Sequence, residues 1–135
     1  MNIELNSNTK IEEIQSEFSK RFPYLKINFF QTKFKPGIEV TPEDILPSFV
    51  LLKDVSGLKL NGSIHINGLM TVKELENQFR IQGGLHVEVF RKSGKIWLKT
   101  SASDQWTLDE QNKEARDSQL EIKTEKEDSD YHEQE

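Results

Sequence analysis

A strand–helix–strand order written twice within 135 residues constrains this chain more than any other feature. In the first pass Ile3 and Leu5 alternate with polar neighbours, the pattern of a half-buried strand. Thr9 and Glu12 then stand three apart, the spacing of a capping box, in which each side chain serves a free backbone N–H at a helix start. Ile11, Ile14, Phe18 and Phe22 follow at spacings of three and four, so the expected helix, 9–22, buries one face. Pro23 ends it, because the residue before a proline disfavours the α conformation. Leu25, Ile27 and Phe29 alternate as the next strand. The second pass runs Ile64 and Ile66, a Thr71/Glu74 box, Val72, Leu75 and Phe79 on a helix over 71–82, a Gly83-Gly84 stop, then Leu85, Val87 and Val89.

Apolar positions correspond at an offset of 61 through the first strand and helix, from Ile3/Ile64 to Phe18/Phe79. They correspond at an offset of 60 along the next strand, in Leu25/Leu85, Ile27/Val87, Phe29/Val89 and Phe30/Phe90. One deletion at the Pro23/Gly84 turn accounts for the change. More weakly, Gly37–Val40 corresponds to Gly94–Leu98, and Ser48–Val55 to Gln105–Asn112. Lys35-Pro36-Gly37 is a turn signal and Ile38–Val40 a possible strand, while 56–62 reads as a connector. These readings predict an α+β domain of two βαββ pseudo-repeats, 1–60 and 62–112. They share one mixed or antiparallel sheet with two main helices on one face.

Charge sets the domain boundary. Residues 109–135 hold eleven Asp/Glu against four Lys/Arg, which leaves 12 acidic and 14 basic residues in 1–108. The net charge of −5 therefore belongs to an acidic tail on a mildly basic body. After Asn112 the apolar pattern fails, and 113–135 is expected to be disordered, with some helix near its start. There is no cysteine, which excludes disulfides and thiolate chemistry. No run approaches the ~20 apolar residues of a membrane span, and the N-terminus has no signal-peptide pattern. A cytoplasmic protein is the expectation.

The most distinctive stretch is Gly84–Leu108, a β-hairpin running into a capped helix and holding both tryptophans. With Ser93-Gly94 as a two-residue loop, Phe90 opposes Trp97 and Glu88 opposes Lys99. Leu85, Val87, Val89, Ile96 and Leu98 then form a core face. The other face carries Phe90 and Trp97, rimmed by Arg91, Lys92, Lys95 and Lys99. An aromatic patch with a charged rim is the signature of a partner-binding surface. Trp106, beside a Thr107/Glu110 box, is expected to plug the core edge.

No catalytic constellation accompanies this surface. His65, His86 and His132 lack metal-pair spacing, and no nucleophile elbow, phosphate-cradling glycine loop or H-E-x-x-H is present. Glu12, Glu74 and Glu110 are accounted for as helix caps, and Glu88 by Lys99. Neither a cofactor nor a metal is expected. The segment TVKELENQF resembles β-grasp carrier domains, but those use a free C-terminal Gly-Gly, whereas Gly83-Gly84 is internal.

Thr71–Phe79, Gly84–Thr100 and Asp104–Asn112 fit the patterns TV-x-ELE-x-x-F, GL-x-V-x-VFRKSG-x-x-WL-x-T and D-x-WTL-x-x-QN. In these, and in Phe22–Phe30, the chain resembles a family of small bacterial proteins of unknown function. The resemblance implies a soluble bacterial protein and supplies no activity. The functional expectation is a non-enzymatic protein-binding module using Phe90, Trp97, Arg91, Lys92, Lys95 and Lys99. The alternative is single-stranded nucleic acid bound by the same patch. The sequence sets no oligomeric state.

Overall fold

The computed structural model describes residues 1–31, 41–55 and 62–133, the side chains of Pro42 and 122–133 excepted. The expected turn at Lys35-Pro36-Gly37, the strand Ile38–Val40 and nearly all of the 56–62 connector lie outside these residues. The rest is α+β, with antiparallel strands and three α-helices. The strands are β1 (Asn2–Glu4), β2 (Leu25–Phe30), β3 (Ser63–His65), β4 (His86–Ser93) and β5 (Ile96–Lys99). The helices are α1 (Ile11–Arg21), α2 (Val72–Gln78, continued by a wider turn over Phe79–Gly83) and α3 (Leu108–Glu133).

The strands divide between two sheets where the sequence predicted one. β1 pairs with β3, and β2, β4 and β5 form a second sheet in that order. The outer edge of β2 explains the division. Its carbonyls at Leu25 and Ile27 accept from Ser19 and Gln15 of α1, at 3.4 and 3.0 Å. With that edge taken and β4 on the other side, β1 and β3 are left to pair with each other. Both sheets still enclose one core. Ile3, Ile64 and Ile66 meet Ile14 and Phe18 of α1, Leu75 and Phe79 of the second helical segment, and the inner residues Leu25, Ile27, Phe29, Val87 and Val89. The Phe29 and Phe79 rings meet edge-on at 5.6 Å, so the two helices lie on the same side of the larger sheet, as predicted.

Backbone hydrogen bonds recur at fixed offsets. Ile11 N–H donates to Val50 and Val72 N–H to Trp106; Glu12 donates to Ser48 and Lys73 to Asp104. Leu52 donates to Thr9 and Leu108 to Met70; Lys53 donates to Ser7 and Asp109 to Gly68. All eight lie between 2.8 and 3.1 Å. Residues 48–53 thus correspond to 104–109, one position earlier than the sequence alignment placed them. Within the sheets Ile3 pairs with Ile64 and Asn28 with Glu88, each a residue with its own counterpart.

Caps and termini bring further corrections. The expected Thr9/Glu12 box is displaced by one: Lys10 precedes α1, and its N–H donates to Glu13 Oε2 at 3.3 Å. Thr9 instead spends its carbonyl on Leu52. Thr71 and Thr107 cap α2 and α3 as predicted, each hydroxyl accepting the N–H three residues on at 3.1 Å. Gly84, with φ of 65°, takes the left-handed position that ends the second helical segment. The expected disorder does not begin at residue 113. Ala115 is buried and Gln119 reaches the Gly94 carbonyl at 3.3 Å, which puts 113–121 in the folded body. One small apolar residue and two long amides suffice where a longer apolar run was looked for.

Candidate functional site: the outer face of the β2–β4–β5 sheet

Alternation sends Leu25, Ile27 and Phe29 inward, so Lys26, Asn28 and Phe30 face out. The register sets Lys26 opposite Phe90, Asn28 opposite Glu88 and Phe30 opposite His86. On the other side of β4, Phe90 opposes Lys99 and Lys92 opposes Trp97. The hairpin loop is therefore Gly94-Lys95, with Gly94 at φ 62°, rather than Ser93-Gly94. A shift of two preserves facing, so Phe90 and Trp97 share a face but meet diagonally. Phe30 and Phe90 are buried together, with Trp97 packed against them.

Trp97 is half-buried, and its ring lies between two cations. The Lys26 ammonium is 4.8 Å and the Lys92 ammonium 5.3 Å from its centroid. Lys26 also lies 5.9 Å from the Phe90 ring. Each such contact is worth about 0.5–1 kcal/mol at an exposed position. Burial, and secondarily the Lys92 charge, lower the pKa of Lys26 below the usual lysine value. Glu88 holds Lys99 at 3.8 Å, so the expected ion pair forms, on a diagonal. Beside Trp97 an open groove of about 560 Å³ runs between α1 and β2, its polar lining made of Glu12, Gln15, Ser16, Ser19, Lys26 and Asn28.

The six residues singled out from sequence separate. Trp97, Lys92, Lys95 and Lys99 share the outer face. Phe90 does too, but at 9% exposure it is a foundation for Trp97 and not a contact surface. Arg91 points to the opposite face, where it bonds Gln111 at 3.4 Å and stands 5.9 Å over the Trp106 ring. The parity of the strand requires this, since Arg91 is one residue from Phe90. Lys26 was missed. Alternation alone put it on the outer face of its strand, but its place beside Trp97 comes from the pairing of β2 with β4.

The inner face of β5 also departs from expectation. Ile96 and Leu98 are 59% and 37% exposed, because α3 lies across β4 and β2 and does not cover them. Trp106 is 40% exposed beneath Arg91 and does not plug the core. Leu108 and Gln111 fill that place. Gln111 is fully buried, and its amide donates to the Ser103 carbonyl and hydroxyl, both at 2.8 Å.

A second cluster of titratable groups lies at the other end of β4. Glu76, Asn77, Arg80, Leu85, His86 and Val87 line a cavity of about 60 Å³. Burial first, then the charges of Glu88 and Asp104, push the Glu76 carboxyl up to about 8. Burial lowers His86, against an opposing pull from Asp44 and with a further lowering from Lys99. The cavity has room for about two waters and not for a substrate. Among the described residues no group of three or more His, Asp or Glu is placed to hold a metal ion.

Compared with protein-family models, curated proteins and solved structures, the chain matches none. Among the described residues no helix is long and apolar enough to cross a membrane.

Proposed function

We propose that the protein is a cytoplasmic, non-enzymatic binding module that engages an acidic segment of a protein partner through Trp97 and the groove beside it. The carrying observation is the half-exposed indole held between Lys26 and Lys92. Lys95 and Lys99 extend the same face, so four cations surround one large apolar anchor. Among the described residues two carboxylates belong to the site, and each has a cation beside it: Glu88 lies 3.8 Å from Lys99, and Glu12, on the groove wall, 4.0 Å from Lys10. A partner supplying carboxylates around an apolar side chain would complement both features. The test is fluorescence titration of Trp97 in a Trp106→Phe background, using a glutamate-rich peptide with a single leucine. Binding that Trp97→Ala abolishes and Lys26→Gln weakens supports the reading. Unchanged affinity in a folded Trp97→Ala variant, read by calorimetry, overturns it.

The crowding of Lys26 and Lys92 around a stackable ring favours one second reading. Single-stranded nucleic acid would stack a base on Trp97 and set phosphates on the lysines. Loss of Arg91 to the other face weighs against it. An oligothymidylate that binds more tightly than the peptide, with affinity falling steeply as salt rises, would favour nucleic acid instead.

A further inference from the structure

The cavity under Glu76 and the groove under Gln15 are counterparts. Gln15 corresponds to Glu76 at the helix offset of 61, as Ser16 does to Asn77 and Ser19 to Arg80. Leu25, Lys26 and Ile27 correspond to Leu85, His86 and Val87 at the strand offset of 60. In the first half the Gln15 amide donates to the Ile27 carbonyl at 3.0 Å and to Asn28 Oδ1 at 3.5 Å. It thereby closes a strand edge that no strand among the described residues covers. Among the described residues no strand covers the matching edge of β4 at Val87, because β5 pairs only with Phe90–Ser93. The acceptor there is the Val87 carbonyl, counterpart of the Ile27 carbonyl; Glu88, the counterpart of Asn28, is held by Lys99 and His86. An amide can donate to such a carbonyl; an ionised carboxylate has no hydrogen to give, and a protonated one has a single hydrogen.

We propose that Glu76 takes the place of an amide: it carries a proton in the folded protein and donates it to the Val87 carbonyl of β4, the counterpart of the Ile27 carbonyl that Gln15 serves on β2. The contact between α2 and β4 is then a proton-dependent latch. The surroundings fit a neutral carboxyl. From β4, Glu88 faces it with His86 alongside; from the turn after β5, Asp104 does so. Lys99 is drawn to Glu88 at 3.8 Å, and Asp44 acts on His86. On the helix itself Arg80 bonds Asn77 at 3.3 Å. A second ionised carboxylate beside Glu88 and Asp104 would be repelled by both, and burial adds to the penalty.

The direction of the pH effect follows. A carboxyl whose folded pKa lies above its unfolded value stabilises fully below about 4.5. That stabilisation is lost as pH rises through about 8. Urea unfolding of the full chain and of Glu76→Gln from pH 4 to 9 reads this out. The expected result is similar stability near pH 4 and a growing advantage for Glu76→Gln above it. Within the window, the folding constants diverge by up to about tenfold per pH unit, the limit set by one proton. A difference that stays flat with pH, or a Glu76→Gln variant destabilised throughout, overturns the proposal. A variant that fails to fold leaves a second measurement on the natural chain. The ¹³C chemical shift of the Glu76 carboxyl should titrate well above pH 6, and a carboxylate already ionised at pH 6 overturns the latch. The latch is independent of the binding role of Trp97, and neither test touches the other.

Discussion

Replacing Gly68 with alanine should destabilise the protein only while Asp109 is present. Gly68 lies in the turn between β3 and α2, and its carbonyl accepts the Asp109 N–H of the first turn of α3 at 3.0 Å. A Cβ on Gly68 would overlap the Asp109 carboxyl group. The backbone bond itself does not demand glycine, since Ser7 makes the corresponding bond to Lys53. Asp109 must therefore swing away, giving up its 3.4 Å contact with Arg21 and its place at a helix N-terminus. An exposed ion pair contributes about 0.2–1 kcal/mol, and a carboxylate at a helix start about 0.3–1 kcal/mol. Against this, alanine for glycine at a compatible φ gains about 0.4–1 kcal/mol from the unfolded chain. The net cost of Gly68→Ala is then roughly 1 kcal/mol or less. In an Asp109→Ala background the overlap is gone and the same substitution should be neutral or stabilising, by up to about 1 kcal/mol. Urea denaturation of the four proteins, followed by circular dichroism, measures the cycle. Equal costs for Gly68→Ala in both backgrounds, within about 0.3 kcal/mol, would falsify the account.

Three further outcomes are expected. Phe79→Ala, which removes a fully buried ring edge-on to Phe29, should cost about 3–5 kcal/mol in chemical unfolding. A cost below 1 kcal/mol would show that the two halves do not share the core through that pair. Phe90→Ala should be destabilising by about 3 kcal/mol, whereas Trp97→Ala, which loses two cation contacts and a half-exposed ring, should cost nearer 1–2 kcal/mol. Only Trp97 is thus a clean probe of binding, and equal losses would mean the indole is as much core as the phenyl ring. A chain cut after Asn112 should unfold at a lower urea concentration than the full chain, since it forfeits the burial of Ala115 and the Gln119–Gly94 bond. An unchanged midpoint would return the domain boundary to 112.

Period and punctuation made the strands and the first two helices legible. Ile14 and Phe18, or Val87 and Val89, can face inward in only one way once the element type is known, and Gly84 marks the end of the second helical segment at sequence level. Pairing partners were not legible, because they depend on what occupies each strand edge. Nothing in the order of residues says that Ser19 and Gln15 close the edge of β2. The candidate site illustrates the same limit. Parity put Trp97 and its neighbouring lysines on one face despite a pairing register shifted by two residues, but alternation assigns Arg91 to the inner side. Lys26 belongs to the site only through the pairing of β2 with β4, a tertiary fact. Ile96 and Leu98 alternate like core residues and are exposed because the helix that could cover them passes across β4 instead. Nothing in the sequence sets Glu76 apart from the other helix carboxylates; its burial and the charges of Glu88 and Asp104 are tertiary facts.

The pairing of β1 with β3 and of β2 with β4 has a consequence for how the chain is made. Every residue pair in those ladders joins positions 56 to 66 apart, and among the described strands the β4–β5 hairpin alone is local. During synthesis at about 5–20 residues per second, β1, α1 and β2 leave the ribosome roughly 3–12 s before their partners exist. Through that interval Phe18, Phe22 and Phe29 have no second layer to enter. Loop closure over some sixty residues must precede any reward from the sheet, which places this small domain among the slower folders for its size. A nascent chain arrested near residue 60 should be a better client for a holdase chaperone than the same chain released complete.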